Sequence, residues 1–233
     1  MDTILQIKAT YSPKDVKSYI MKYNSASNPR YESFDYCYEY FHTQSNLTGN
    51  NMRQSCNELW SYLASWGMLR GSSSLLQRGN YKSLEGTITV IQNYFNNPKS
   101  LPDIKKDLRK NYVEKVVNLC KEIKGTLKGF NPTNTLITKI ILGVFGVFPA
   151  IDQYFRKTFD ASTSSNIRAF AELVWDLYGD PDYKKVLNGI KIPVKSFDGC
   201  TTRLYYPIAK LIDMFGFTCG MSLPRATAAP RRR

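Results

Sequence analysis

Thr138-Lys139-Ile140-Ile141-Leu142-Gly143-Val144-Phe145-Gly146-Val147-Phe148-Pro149-Ala150-Ile151-Asp152-Gln153-Tyr154-Phe155 is the stretch on which the reading of this chain turns. Its first part is apolar at every position but two and predicts a buried helix. Gly146 predicts the stop, because glycine takes the left-handed conformation that ends helices. Pro149 turns the chain, and a new helix begins with one acid, Asp152, near its start. Two readings of that acid stand side by side. It caps the new helix, where its charge meets the positive end of the helix dipole. Alternatively, in a strongly basic protein, it is a catalytic carboxylate held by a rigid element at a cleft.

Working outward, nearly every long segment carries helical rather than strand periodicity. Residues 13–23 predict a helix with Ser12 as N-cap and Pro13 at the first helical position. Residues 33–43 follow, with Phe34, Cys37, Tyr38 and Phe41 along one face. Residues 52–69 repeat Leu59, Leu63 and Trp66 at helical spacing, and a helix resumes at Leu75. Further helices are expected over 84–95, 102–124, 135–145, 152–159, 166–178 and 206–217, with a small-residue loop at 161–165. Residues 190–202 read as an irregular connection with some extended structure. The fold class expected is all-α: two helical lobes with a cleft between them, in one unit over 1–220, one lobe spanning about 75–150. The segment 221–233 has two prolines, four arginines and few apolar residues, and predicts a disordered basic tail.

Composition narrows the function. The chain has 233 residues, long enough to bury a substantial core. Lys and Arg number 32 against 19 Asp and Glu, for a net charge of +13. Subtracting the four tail arginines leaves +9, so the basic character belongs to the folded part. An excess of that size favours a polyanionic partner, and nucleic acid is the commonest. Five cysteines without Cys-x-x-Cys spacing, and His42 as the one histidine, argue against zinc or iron–sulfur sites. No metal or cofactor is expected, and reduced thiols fit a cytoplasmic protein. The first six residues lack the basic and apolar regions of a secretory leader. The longest apolar run, 140–151, is too short for a membrane span of about 20 residues.

The chemistry that suits such a chain is removal of a base from DNA. The N-glycosidic bond breaks through a sugar of oxocarbenium character, which a nearby carboxylate stabilises while orienting water. The base must leave the stack for a pocket with aromatic walls. Flanking phosphates need helix N-termini and cationic side chains. Asp152 is the candidate catalytic group. Thr133, Asn134 and Thr135 open the apolar helix and offer caps and free amides, while Lys139, Arg156 and Lys157 supply positive charge. Trp66, Tyr154 and Phe155 are candidate base-pocket rings, although from spacing alone each reads more readily as core. No cluster of carboxylates at metal-ligand spacing accompanies Asp152, which argues against a nuclease.

Residues 138–159 resemble the central part of helix-hairpin-helix DNA glycosylases, the endonuclease III-like superfamily. There a helix leads through a Gly/Pro turn to a catalytic aspartate, and Phe148-Pro149-Ala150-Ile151-Asp152-Gln153-Tyr154-Phe155-Arg156 matches in order and spacing. The segment 62–73, which contains Ala64-Ser65-Trp66-Gly67-Met68-Leu69-Arg70-Gly71-Ser72-Ser73, is similar in placement to the element with which that superfamily probes the minor groove. Two departures matter. Asn131 to Thr135 stands where the Gly-x-Gly hairpin belongs, and the lysine of lyase-competent members would fall near Thr135, with Lys139 one turn later. The resemblance therefore implies a monofunctional enzyme that forms no Schiff base. Residues 31–220 also resemble a bacterial family of compact helical proteins associated with antiphage glycosylases. That implies double-stranded phage DNA as partner, a bulky modified base such as glucosylated hydroxymethylcytosine as substrate, and a monomer.

The same resemblance places Arg70, Ser72 and Ser73 beside Asp152, as ligands for a phosphate, a sugar or the gap left by an extruded base. Read from the residues alone, they are a helix–helix turn with a serine cap. Two rivals to the glycosylase are a non-enzymatic helical nucleic-acid-binding protein and a component of a defence or toxin complex.

Overall fold

A computed structural model describes residues 7–8, 10–26, 28–159 and 166–224. Among them the chain is predominantly helical, with eleven α-helices and one two-stranded hairpin. In chain order these are α1 (Pro13–Asn24), α2 (Pro29–Thr43), α3 (Met52–Ser65), α4 (Ser74–Arg78), α5 (Glu85–Asn96), α6 (Arg109–Thr126), α7 (Asn134–Phe145), α8 (Gln153–Thr158), α9 (Ile167–Gly179) and α10 (Pro181–Gly189). The hairpin β1 (Pro193–Lys195) and β2 (Thr201–Tyr205) follows, and α11 (Ile208–Ser222) closes the fold. The expected loop at 161–165 and tail residues 225–233 lie outside the described residues.

Most helix starts obey their local chemistry. Ser12 accepts from the Asp15 amide in a capping box ahead of Pro13. Asn28, Thr133, Asp152, Asn166 and Asp180 each accept from backbone amides of the helix they open. Four boundaries differ from expectation, among them the end of α11, which runs to Ser222, past the expected stop at 217 and into the segment read as a disordered tail. α2 begins four residues early, because Asn28-Pro29 is itself a cap and first-position pair. α3 ends at Ser65, since Gly67 adopts φ +70. α6 begins only at Arg109, because Asp103 and Asp107 bind nearby backbone amides and hold 102–108 in turns. Helix α10 was not anticipated, although Asp180-Pro181 carries the same cap and proline signature.

Helix α7 is the centre of the fold: every residue from Leu136 to Phe145 is buried, including Lys139. It ends at Gly146 in the left-handed conformation, φ +63. Helices α2, α3 and α6 pack around α7, and α8 lies along α11 as the most intimate helix pair. That intimacy rests on two glycines of α11, Gly216 and Gly220. A Cβ at Gly220 would meet the Tyr154 carbonyl oxygen at 2.0 Å, and one at Gly216 would meet the Phe155 ring at 2.4 Å. The backbone of α11 therefore forms the bed on which the helix carrying Asp152 rests.

The all-α class agrees with the sequence, and the hairpin accounts for the extended structure expected near 190–202. No helix among the described residues is long and apolar enough to cross a membrane. The five cysteines are free, four of them buried.

Candidate active site

Asp152 caps a helix with one carboxylate oxygen and meets a lysine with the other. One carboxylate oxygen, Oδ1, accepts from the amides of Tyr154 at 3.0 Å and Phe155 at 2.9 Å and so caps α8. The other, Oδ2, lies 3.3 Å from Lys139 Nζ. Lys139 stands on α7 with 2% of its side chain exposed, against 14% for Asp152. The turn between them is pinned twice from α7. The Thr138 hydroxyl accepts from the Ile151 amide at 2.9 Å, and Thr135 donates to the Ile151 carbonyl at 2.9 Å.

The pair opens into a cavity of about 300 Å³. Asp152 is the one carboxylate among its lining residues, which include Arg30, Arg70, Lys139 and Arg156. Trp66, Tyr154 and Phe217 supply aromatic surface, with Tyr154 and Phe217 edge to face at 5.3 Å. Two buried donors on this lining, Trp66 Nε1 and Arg156 Nε, have no hydrogen-bond partner. Unpaired buried donors are costly, so the lining is arranged to receive acceptor atoms.

Trp66 is more enclosed than its expected stacking role requires. It is 3% exposed. Tyr31 lies parallel to it at 6.0 Å, Arg30 sits 4.7 Å and Lys139 4.2 Å from its ring centroid. A base would stack on Trp66 only by displacing Arg30. Phe155 is corrected outright: it is fully buried against Phe159, Phe170 and Gly216, and does not line the cavity. Capping by Asp152 begins the helix so that residue 154 faces the cavity and residue 155 faces α11.

The remaining expected residues divide. Thr135 and Arg156 line the cavity, and so does Arg70, whose guanidinium folds over Gly67. Ser72 is exposed beyond the lining, and Ser73 occupies the cap position of α4 without making the side-chain cap bond. Lys157 points away and donates to the Leu223 carbonyl. Thr133 spends its hydroxyl on the Leu136 amide at 3.2 Å. Asn134, the first residue of α7, is half-buried and outside the lining. Beside the start of α7 lies a second, basic hollow of about 470 Å³ lined by Lys121, Lys124, Lys128, Asn131 and Pro132. Asn131 takes the left-handed conformation, φ 46, which asparagine tolerates without glycine.

Arg30 and Phe217 went unseen in the sequence. Arg30 follows a cap and proline that mark only a helix start. Phe217 follows Gly216, and the spacing of Gly216 and Gly220 was the available sign that α11 meets another backbone. Among the described residues no group of three or more His, Cys, Asp or Glu could hold a metal ion. Comparison with protein families, with curated proteins and with solved structures finds no match.

Proposed function

We propose that this protein is a monofunctional DNA glycosylase that excises a modified base from double-stranded DNA with Asp152 as its catalytic carboxylate. The observation that carries the reading is the division of labour within Asp152. Its capping oxygen fixes the group, and its second oxygen, paired to Lys139, lies at an aromatic, cationic cavity. A carboxylate held that way can stabilise an oxocarbenium sugar and orient water against it. Lys139 is the countercharge that keeps the carboxylate in place.

The two-lobed cleft belongs to the same proposal, with the turn after α3 on one side of the flipped nucleotide and the turn before α8 on the other. The basic hollow at Lys121, Lys124 and Lys128 sits at the N-terminal end of α7, beside the cavity, where a phosphate strand would run. Action on phage DNA, with a bulky modified pyrimidine as substrate, rests on the sequence resemblance alone. A non-enzymatic nucleic-acid-binding protein is the second reading, favoured by the two amides that Asp152 caps.

Incubation with DNA carrying glucosylated hydroxymethylcytosine, hydroxymethylcytosine or cytosine separates them. The glycosylase reading expects released base and alkali-labile sites, lost in Asp152→Asn, with the strand intact before alkali. Salt-dependent binding with no abasic product on any of these DNAs would leave the second reading. Borohydride trapping of Lys139 on the DNA would overturn the assignment as monofunctional.

A further inference from the structure

A second cavity, of about 390 Å³, lies between the end of α1, the first turns of α2, strand β1 and Tyr206. It shares an aromatic wall with the candidate active site: Tyr31 stacks on Tyr23 at 4.1 Å and lies parallel to Trp66 at 6.0 Å. Tyr23 and Tyr31 line one cavity and Trp66 the other. Their charges are opposite. Around Asp152 four cations meet one acid, whereas here Glu32 and Asp35 face Lys195 alone among the charged lining residues. The end of α1, with the negative end of its dipole, adds to that potential.

Asp35 is the residue that marks this cavity as built. It is 3% exposed. Its Oδ2 accepts from the Tyr206 hydroxyl at 3.0 Å, and its Oδ1 is buried with no hydrogen-bond partner. A buried carboxylate oxygen left unpaired carries a large desolvation cost. In a chain with a net charge of +13, an acid kept in this state is suited to a donor that arrives from outside.

We propose that this cavity binds a small organic cation bearing N–H donors, a primary ammonium or guanidinium, with Asp35 as its anchor and Tyr31 and Glu32 as its wall and rim. The N–H requirement follows from the unpaired Oδ1, which needs a hydrogen bond and not charge alone. Lys195, half-exposed and 3.8 Å from Glu32, holds the rim and disfavours a second positive charge on the ligand.

Burial raises the Asp35 carboxyl to about 6, opposed by the Tyr206 hydroxyl, Lys210 and Lys195 and reinforced by Glu32. Tyr23, from α1, stays neutral, its phenol pushed well above the usual range by burial. A bound cation favours the ionised carboxyl, so affinity should fall as pH drops from 7.5 towards 5.

Isothermal titration of the full chain with methylguanidinium chloride tests the proposal, with sodium and tetramethylammonium chlorides at equal ionic strength as controls. Saturable binding of methylguanidinium is expected, tenfold or more weaker in Asp35→Asn and at pH 5, with neither control ion binding. Because Asp35 is buried and its substitution puts the fold at risk, Glu32→Gln at the rim serves as a second variant and should weaken binding two- to fivefold. Equal affinity for tetramethylammonium, unchanged affinity in both variants, or no saturable heat with methylguanidinium would each overturn the proposal.

Discussion

Two lysine–aspartate pairs lie against the same tryptophan and serve different ends. Lys139–Asp152 is 3.3 Å apart and Lys210–Asp213 is 3.4 Å apart, and the two lysines stand 4.2 and 5.6 Å from the Trp66 ring centroid. Lys210 and Asp213 are essentially inaccessible, at 0% and 3%. Their other hydrogen bonds are made inside the protein: Lys210 also donates to the Tyr23 hydroxyl at 3.0 Å, and Asp213 accepts from the Ala150 amide at 3.1 Å. Burial holds the Lys210 amine below its ordinary range, partly offset by Asp213. This pair fastens the turn that leads to Asp152. Asp152 keeps one oxygen on its own helix and presents the other to a cavity. The same two residue types form an enclosed fastener in one place and leave a carboxylate at a cavity wall in the other.

Exchanging each acid for its amide is the most direct way to break this comparison. Asp152→Asn preserves the cap, since asparagine caps helices as well as aspartate. It should lower base release about 10²–10⁴-fold and, because the enclosed Lys139 loses its counterion while Asp152 keeps some solvent contact, cost about 1–3 kcal/mol in urea unfolding. Asp213→Asn leaves Lys210 charged and enclosed without a counterion. It should cost about 3–5 kcal/mol, seen as a lower urea midpoint. If instead Asp152→Asn proves the more destabilising, the difference between the pairs is not one of solvent access.

Gly220→Ala sharpens the comparison by moving one pair and not the other. Its methyl would collide with the Tyr154 carbonyl, so α8 must shift. A loss of about 1–3 kcal/mol is expected, together with loss of base release, while Lys210 and Asp213 stay paired. A wild-type rate in this variant would show that the position of α8 is not critical. The smallest effect belongs to Arg30→Gln, which uncovers Trp66. It should weaken DNA binding modestly and reduce the slope of log affinity against log salt by about one.

Much of the local structure was legible because it depends on near neighbours. Ser12-Pro13, the Gly146 stop and the apolar run of α7 each state their conformation within a few residues. Asp152 as a cap was readable for the same reason. Its second oxygen was not: nothing in the spacing of 139 and 152 says that the two side chains meet, since they lie on different helices across a turn. Phe155 shows the converse. A ring three residues after the acid looked available, but the docking of α8 on Gly216 turned it into the core.

The sequence by itself determined that this chain is helical and strongly basic, that its central helix is apolar and belongs to the core, and that an acid starts the helix beyond it. These follow from periodicity, caps and charge, which act over one or two turns. Tertiary structure alone decided that Arg30, Trp66, Lys139 and Phe217 surround that acid, and that Asp35 lies buried with an oxygen unpaired. Those relations join residues up to 187 positions apart. They depend on which faces the helices bury against one another, which packing settles and local pattern does not.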